Sequence, residues 1–417
     1  MRRRTHLSFG VMALVVAGCG AEPLPDEPLA RARVLMRQVP LIDGHNDLPW
    51  ELRARFHSSF DSLDLARDQP AVMTDIPRLR AGLVGGQFWS TYTPSDILHP
   101  AREGMAQVDI VHRMIARYPD AFEWARTAED IERIHASGKI ASMAGLEGGH
   151  MIENSLALLR AFHREGVSYM TLTHSTNTDW ADAATDTLRH GGLTRFGEEV
   201  VREMNRLGML VDLSHASDST TWDVLEVTEA PVIFSHSSSR RFTPHPRNVP
   251  DDIARAVAVN GGVIMVNYVL PFIDLAAYEW SEERDALAAR LTAAGRMPGE
   301  VRDSLEVWET ERPRPRPDLG VVVDHVEHLR AVAGIDHVGI GSDLDGIVMA
   351  PLGLEDVSTF PALIGELLRR GWSDEDARKV IGENVLRVMR EAESTALRLQ
   401  HERSPSVATI EALDGGA

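Results

Sequence analysis

Eight short apolar runs rich in β-branched residues punctuate the chain, at positions 41–44, 87–92, 140–146, 168–173, 209–214, 232–235, 263–267 and 338–341. Most stretches between them repeat apolar residues with helical spacing, as at 155–164, 195–207, 251–259 and 321–333. Strands alternating with helices predict a parallel sheet, because parallel neighbours need a crossover connection. Eight such units is the number that closes an α/β (β/α)8 TIM barrel; an open doubly wound sheet is the alternative the pattern leaves. Two regions break the alternation. Positions 51–81 read as irregular, with Asp75-Ile76-Pro77-Arg78-Leu79 leading a helix. Positions 271–318 are far longer than one crossover needs, with a charged helical pattern at 281–294 and alternating Arg and Pro at 312–317 that favour polyproline II. This insertion before the last strand is expected to be a cover near the barrel mouth or a surface arm. Helices from 354 onward close the domain, so the barrel spans 39–395, and 396–417 is expected to be a disordered C-terminal tail.

The N-terminus stands apart from this pattern. Arg2, Arg3 and Arg4 precede an apolar run at 7–17 that is too short to span a bilayer comfortably, which reads as an export signal. Val16-Ala17-Gly18-Cys19 resembles a bacterial lipoprotein box, in which the cysteine is lipidated and becomes the new N-terminus; an ordinary signal with a chance cysteine is the alternative. On the first reading 1–18 is a signal peptide, 19–38 a lipidated tether, and the mature chain is anchored to a membrane of the bacterial envelope. Losing the three arginines leaves 40 basic against 62 acidic residues, moving the net charge from −19 to −22. That balance disfavours nucleic acid as a partner. Cys19 is the single cysteine, so no internal disulfide forms and any metal site must be built from His, Asp and Glu.

Those residue types occupy a recurrent position. The first run ends in His45 and Asp47, the third in Glu147, the fourth in His174, the fifth in His215, the sixth in His236 and the eighth in Asp343. In a barrel these ends share the face where catalytic groups sit. Imidazoles and carboxylates are costly to bury without partners, and a divalent cation satisfies several at once. With no thiolate available, the set suits zinc, and less well manganese, cobalt or iron. If Glu147 bridges, the set serves two metals, an arrangement suited to hydrolysis by a hydroxide held between them.

The motifs Ile42-Asp43-Gly44-His45-Asn46-Asp47, Glu147-Gly148-Gly149-His150, Thr171-Leu172-Thr173-His174, Ser235-His236-Ser237-Ser238, Arg247-Asn248-Val249-Pro250 and Ser342-Asp343-Leu344-Asp345-Gly346 together resemble the membrane dipeptidase (renal dipeptidase) family, the zinc peptidase family M19. The resemblance implies a TIM barrel of the metal-dependent amidohydrolase type with two Zn2+ per chain, hydrolysing dipeptides. It also implies tolerance of D-residues at the C-terminal position and, in some members, of β-lactams. It makes His45 and Asp47 ligands of one zinc, His215 and His236 of the other, and Glu147 the bridge. His174 becomes the stabiliser of the oxyanion, Arg247 the binder of the substrate carboxylate, and Asp343 the acid/base. Expected partners are a small dipeptide and a membrane, through the anchor on Cys19; a homodimer is left open. Another amidohydrolase-type hydrolase on the same barrel (a lactonase, deacetylase or phosphotriesterase) is the alternative. A barrel used only for binding would be expected to lack at least one ligand, and none is missing.

Overall fold

Strands covered on both faces read as continuous apolar runs rather than alternating ones, and this is how the eight runs fold. In the computed structural model, which describes residues 25–415, they form β1 (Leu41–Asn46), β2 (Val84–Ser90), β4 (Ile140–Glu147), β5 (Val167–Thr171), β6 (Leu210–Asp212), β7 (Ile233–Phe234), β8 (Val263–Val266) and β9 (Val338–Ile340). Almost every residue in them is buried. All pairings are parallel; the order runs β2-β1-β9-β8-β7-β6-β5-β4, and β2 pairs with β4 to close the ring. A ninth strand the hydrophobic pattern did not predict, β3 (Phe122–Trp124), lies beside the first half of β4, whose second half pairs with β5.

The crossover helices form where apolar periodicity meets good caps. Helix Arg195–Leu207 begins at Thr194, whose side chain accepts from the Gly197 N–H, and ends at Gly208 in a left-handed conformation. It buries Phe196, Val200, Val201 and Met204 against the sheet. The 51–81 region is less irregular than expected, since helix Leu48–Phe56 fills its start; helix Ile76–Ala81 is capped by Asp75, as the motif suggested.

The insertion is a helical hairpin of Leu275–Ala293 and Pro298–Glu311. Trp280 packs on Trp308 with ring centroids 5.2 Å apart, and its Nε1–H donates to the Arg312 carbonyl at 2.7 Å. Arg314, in the extended Arg-Pro run, lies over the Trp280 ring.

Two terminal expectations need correction. The second half of the 19–38 tether is helix Pro28–Gln38, capped by Glu27, which buries Ala32, Leu35 and Met36 and ties Arg31 to Asp374 at 2.6 Å. The signal peptide and Cys19 lie outside the described residues. The tail expected to be disordered at 396–417 is instead structured over its described residues, 396–415: helix Asn384–Glu402 runs into it, and helix Ile410–Asp414 docks so that the Asp414 carboxylate accepts from the Phe196 N–H. Buried Ala396, Leu399 and Ile410 supply the apolar contacts that hold the segment. Among the described residues no helix is long and apolar enough to cross a membrane.

Candidate metal centre and substrate pocket

The loops following the strands bring the singled-out residues to one end of the barrel. Asp47, Glu147, His174, His215, His236, Arg247 and Asp343 line a cavity of about 320 Å3 together with Trp50, Tyr92, Val269, Phe272, Gly346 and Ile347. His45 lies fully buried among them. Two of these residues, His215 (φ 69°) and Asp343 (φ 64°), hold left-handed backbone conformations that side-chain-bearing residues rarely adopt. Such strain, about 1–3 kcal/mol each, concentrates where a structure must aim a functional group.

Glu147 is central. Its Oε2 lies 3.4 Å from His45 Nε2 and accepts from Ser90 Oγ at 2.9 Å. Its Oε1 lies 3.1 Å from His215 Nε2 and 3.6 Å from the Nε2 atoms of both His236 and His174. Asp47 Oδ2 is 3.3 Å from His45 Nε2, and Asp343 joins these two in a compact triple of donor atoms. One carboxylate oxygen thus faces His45, which in turn contacts Asp47, and the other faces His215, His236 and His174. Burial alone would raise the Glu147 carboxyl, but His45, His215 and His174 hold it well below the usual carboxylate range. Burial, with nearby cationic groups, holds His215 and His236 well below the ordinary imidazole value.

These groups fit a metal. His215 Nε2 and His236 Nε2 approach to 2.9 Å, and His45 Nε2 is buried with no hydrogen-bond partner. The imidazoles of His45, His215 and His236 converging with two carboxylates form a donor set that a shared cation satisfies well. The tautomers agree. Tyr169 OH donates to the Gly44 carbonyl at 3.2 Å, so it accepts from His45 Nδ1–H at 2.8 Å, leaving His45 Nε2 free. Tyr169 reaches β1 past Gly145, where a Cβ would lie 2.0 Å from the ring.

Arg247 is buried, with Nη1 donating to Ser237 Oγ and Nη2 to the His236 carbonyl, each at 3.3 Å, and with Nε unpartnered. Burial lowers its pKa to about 10, so it stays charged at neutral pH. Arg240, on the same loop, is spent on Asp218 through two bonds of 2.6 and 2.8 Å. Asn46 supports its turn through Thr74 Oγ1 and the Leu48 N–H, and His150 contacts Thr93 Oγ1 at 3.2 Å. Sequence reasoning missed the aromatic walls Trp50, Tyr92 and Phe272, which only the folded loops bring to the cavity. It also gave Asp212 no role, although that carboxylate accepts four hydrogen bonds beneath His236.

The family model described as membrane dipeptidase (peptidase family M19) matches residues 29–403. The chain is 41% identical over 390 residues to the dipeptidase verJ of Clonostachys rogersoniana, covering 90% of each. Its fold is similar to that of the probable dipeptidase PvdM from Pseudomonas aeruginosa (TM-score 0.79, 24% identity, 89% of this chain and 100% of that one). It is also similar to a metallopeptidase from Rhodobacter sphaeroides liganded with a phosphinate mimic of L-Ala-D-Ala (TM-score 0.68, 23% identity, 85% and 99%). With motifs, barrel and family model in agreement over nearly its whole length, the chain belongs to the membrane dipeptidase family, peptidase family M19.

Proposed function

We propose that the chain is a dizinc dipeptidase that requires a free carboxylate on the substrate's C-terminal residue and accepts a D-residue there. The observation that carries this reading is Arg247: a buried, charged guanidinium with an unpartnered Nε, on the wall of the cavity that holds the metal donors. Its planar fork matches a carboxylate. Placed so near the reacting centre, it selects substrates whose C-terminus is one residue from the cleaved bond. The dipeptide mimic bound by the Rhodobacter sphaeroides relative supports the same substrate class and D-configuration.

His45, Asp47 and Glu147 would hold one zinc, and Glu147, His215 and His236 the other. When bound, such ions act as Lewis acids and make hydroxide available near neutral pH. Asp343 takes the proton of the attacking water and delivers it to the leaving amine. Burial and the carboxylates of Asp47 and Glu147 push the Asp343 carboxyl well above its usual range, toward the basicity such a shuttle needs. His174, fixed through Nδ1 to Ser175 Oγ at 3.0 Å and set against the Tyr92 ring, donates to the developing oxyanion. Trp50, Tyr92, Val269, Phe272 and Ile347 give both side chains apolar surroundings.

The test uses zinc-loaded protein with L-Ala-L-Ala, L-Ala-D-Ala and the C-amidated form of each. Hydrolysis of the two free acids is expected, with the amides turned over far more slowly. Equal turnover of the amides, or preference for a lactone or phosphotriester, would overturn the reading. Attachment to the envelope through lipidated Cys19 is part of the same proposal, and Cys19→Ser should then move the protein from the membrane fraction to the soluble one.

A further inference from the structure

The two sides of Glu147 are electrostatically unequal. On the Oε2 side stand the carboxylates of Asp47 and Asp343. On the Oε1 side stand the imidazoles of His174, His215 and His236, with the Arg247 guanidinium bonded to the His236 carbonyl. Among the described residues no second carboxylate joins Glu147 in the compact donor group on that side. A cation there meets one shared carboxylate, neutral ligands and a nearby positive charge. His215 offers no compensation, because its Nδ1 is buried without a hydrogen-bond partner.

His236 does. Its Nδ1 lies 2.7 Å from Ser235 Oγ, and that hydroxyl donates to Asp212 Oδ2 at 2.6 Å. The hydroxyl's single proton is committed to the carboxylate, so it accepts from His236 Nδ1–H. This leaves the Nε2 lone pair directed at Glu147 and His215. Asp212 is fully buried at the end of β6, and its other bonds all come from donors: Thr171 Oγ1 at 2.7 Å, Ser214 N–H at 3.0 Å and Ser235 N–H at 2.8 Å. A carboxylate one hydroxyl removed from a ligating imidazole fixes its tautomer and raises its basicity, an effect typically worth about 10–100-fold in metal affinity.

We infer that Asp212, acting through Ser235 Oγ, is the positioning residue that keeps the His215–His236 side occupied, and that without this relay the chain holds one metal firmly and the second weakly. This rests on the dinuclear reading above.

The experiment is stepwise zinc titration of chelator-stripped full-length protein against a competing indicator dye, with circular dichroism as a check on folding. Ser235→Ala removes only the relay and leaves three of Asp212's four bonds; Asp212→Asn removes the charge. Wild type is expected to take two ions. Both variants are expected to take the first with unchanged affinity and the second about 10-fold or more weakly. Ser235→Ala decides the matter should Asp212→Asn fail to fold. Two steps matching wild type in a folded Ser235→Ala protein, or equal weakening of both steps, would overturn the inference. A wild-type chain that takes up a single ion would instead contradict the dinuclear reading itself.

Discussion

Arg247 and Gly346 show how single residues set the chemistry. Arg247 brings a charge into a buried position and leaves part of its fork unused, an arrangement that costs stability unless a ligand anion completes it. Removing one partner of a buried charge pair typically costs about 2–5 kcal/mol. Arg247→Ala should therefore lower kcat/KM for free dipeptides by about 100-fold or more, while barely changing the slow turnover of C-amidated analogues. Steady-state kinetics on matched acids and amides check this. Gly346 matters for its missing side chain: a Cβ there would lie 2.3 Å from Asp47 Oδ2 and 2.6 Å from Asp343 Oδ1. Gly346→Ala should displace both carboxylates and lose metal together with activity, read by elemental analysis beside an activity assay. The residues that gather at the strand ends were legible in the sequence because an imidazole or carboxylate stands out after an apolar run. Asp212 was not, because its role exists only once Thr171, Ser214 and Ser235, from three strand ends, converge on it.

At the scale of elements, the loop after β7 carries both His236 and Arg247, and its placement depends on His325. That buried imidazole, on helix Gly320–Ala333, accepts from the Ser239 N–H at 3.0 Å and faces the Ile273 carbonyl at 3.0 Å through Nε2. Burial depresses its pKa to about 4, against an ordinary value of 6.5. The unfolded chain therefore binds the proton first. The stability held by neutral His325 is complete above about pH 6.5 and is lost as pH falls toward 4, on the order of 3 kcal/mol in all. From pH 7.5 to 5 the stability read from denaturant unfolding should fall in wild type, about 2 kcal/mol of that fall coming from His325, and should fall by about that much less in His325→Gln; an equal fall in both would contradict the assignment. The helical hairpin makes a contrasting case. The segment leading into it, not the hairpin itself, lines the cavity, through Val269 and Phe272. Replacing its outer part, positions 285–305, with a short turn should change kcat/KM for simple dipeptides by less than about 3-fold, whereas Phe272→Ala should raise KM. Sequence composition left a cover and a surface arm equally open there, because charge and proline report exposure and not direction.

At the scale of the whole molecule, the barrel was legible because each apolar run is covered on both faces and separated by a capped helix, so eight repeats of one pattern imply closure. The two ends were misjudged for opposite reasons. Near the N-terminus, prolines and charges masked an i, i+3, i+4, i+7 series of Ala32, Leu35, Met36 and Val39, all buried. At the C-terminus, Ile410 has too short a helix around it to show periodicity. The donor cluster is the interaction on which the rest of the account depends. Groups that bind an ion only when folded gain about 2.7 kcal/mol of stability at a ligand concentration 100 times Kd, so chelation should lower the melting temperature and zinc should restore it. The most direct measurement is zinc content per chain in freshly purified protein, taken together with L-Ala-L-Ala hydrolysis before and after chelation. The account predicts two zinc ions per chain, loss of hydrolysis on their removal and recovery on their return. Full hydrolysis by metal-free protein would contradict it.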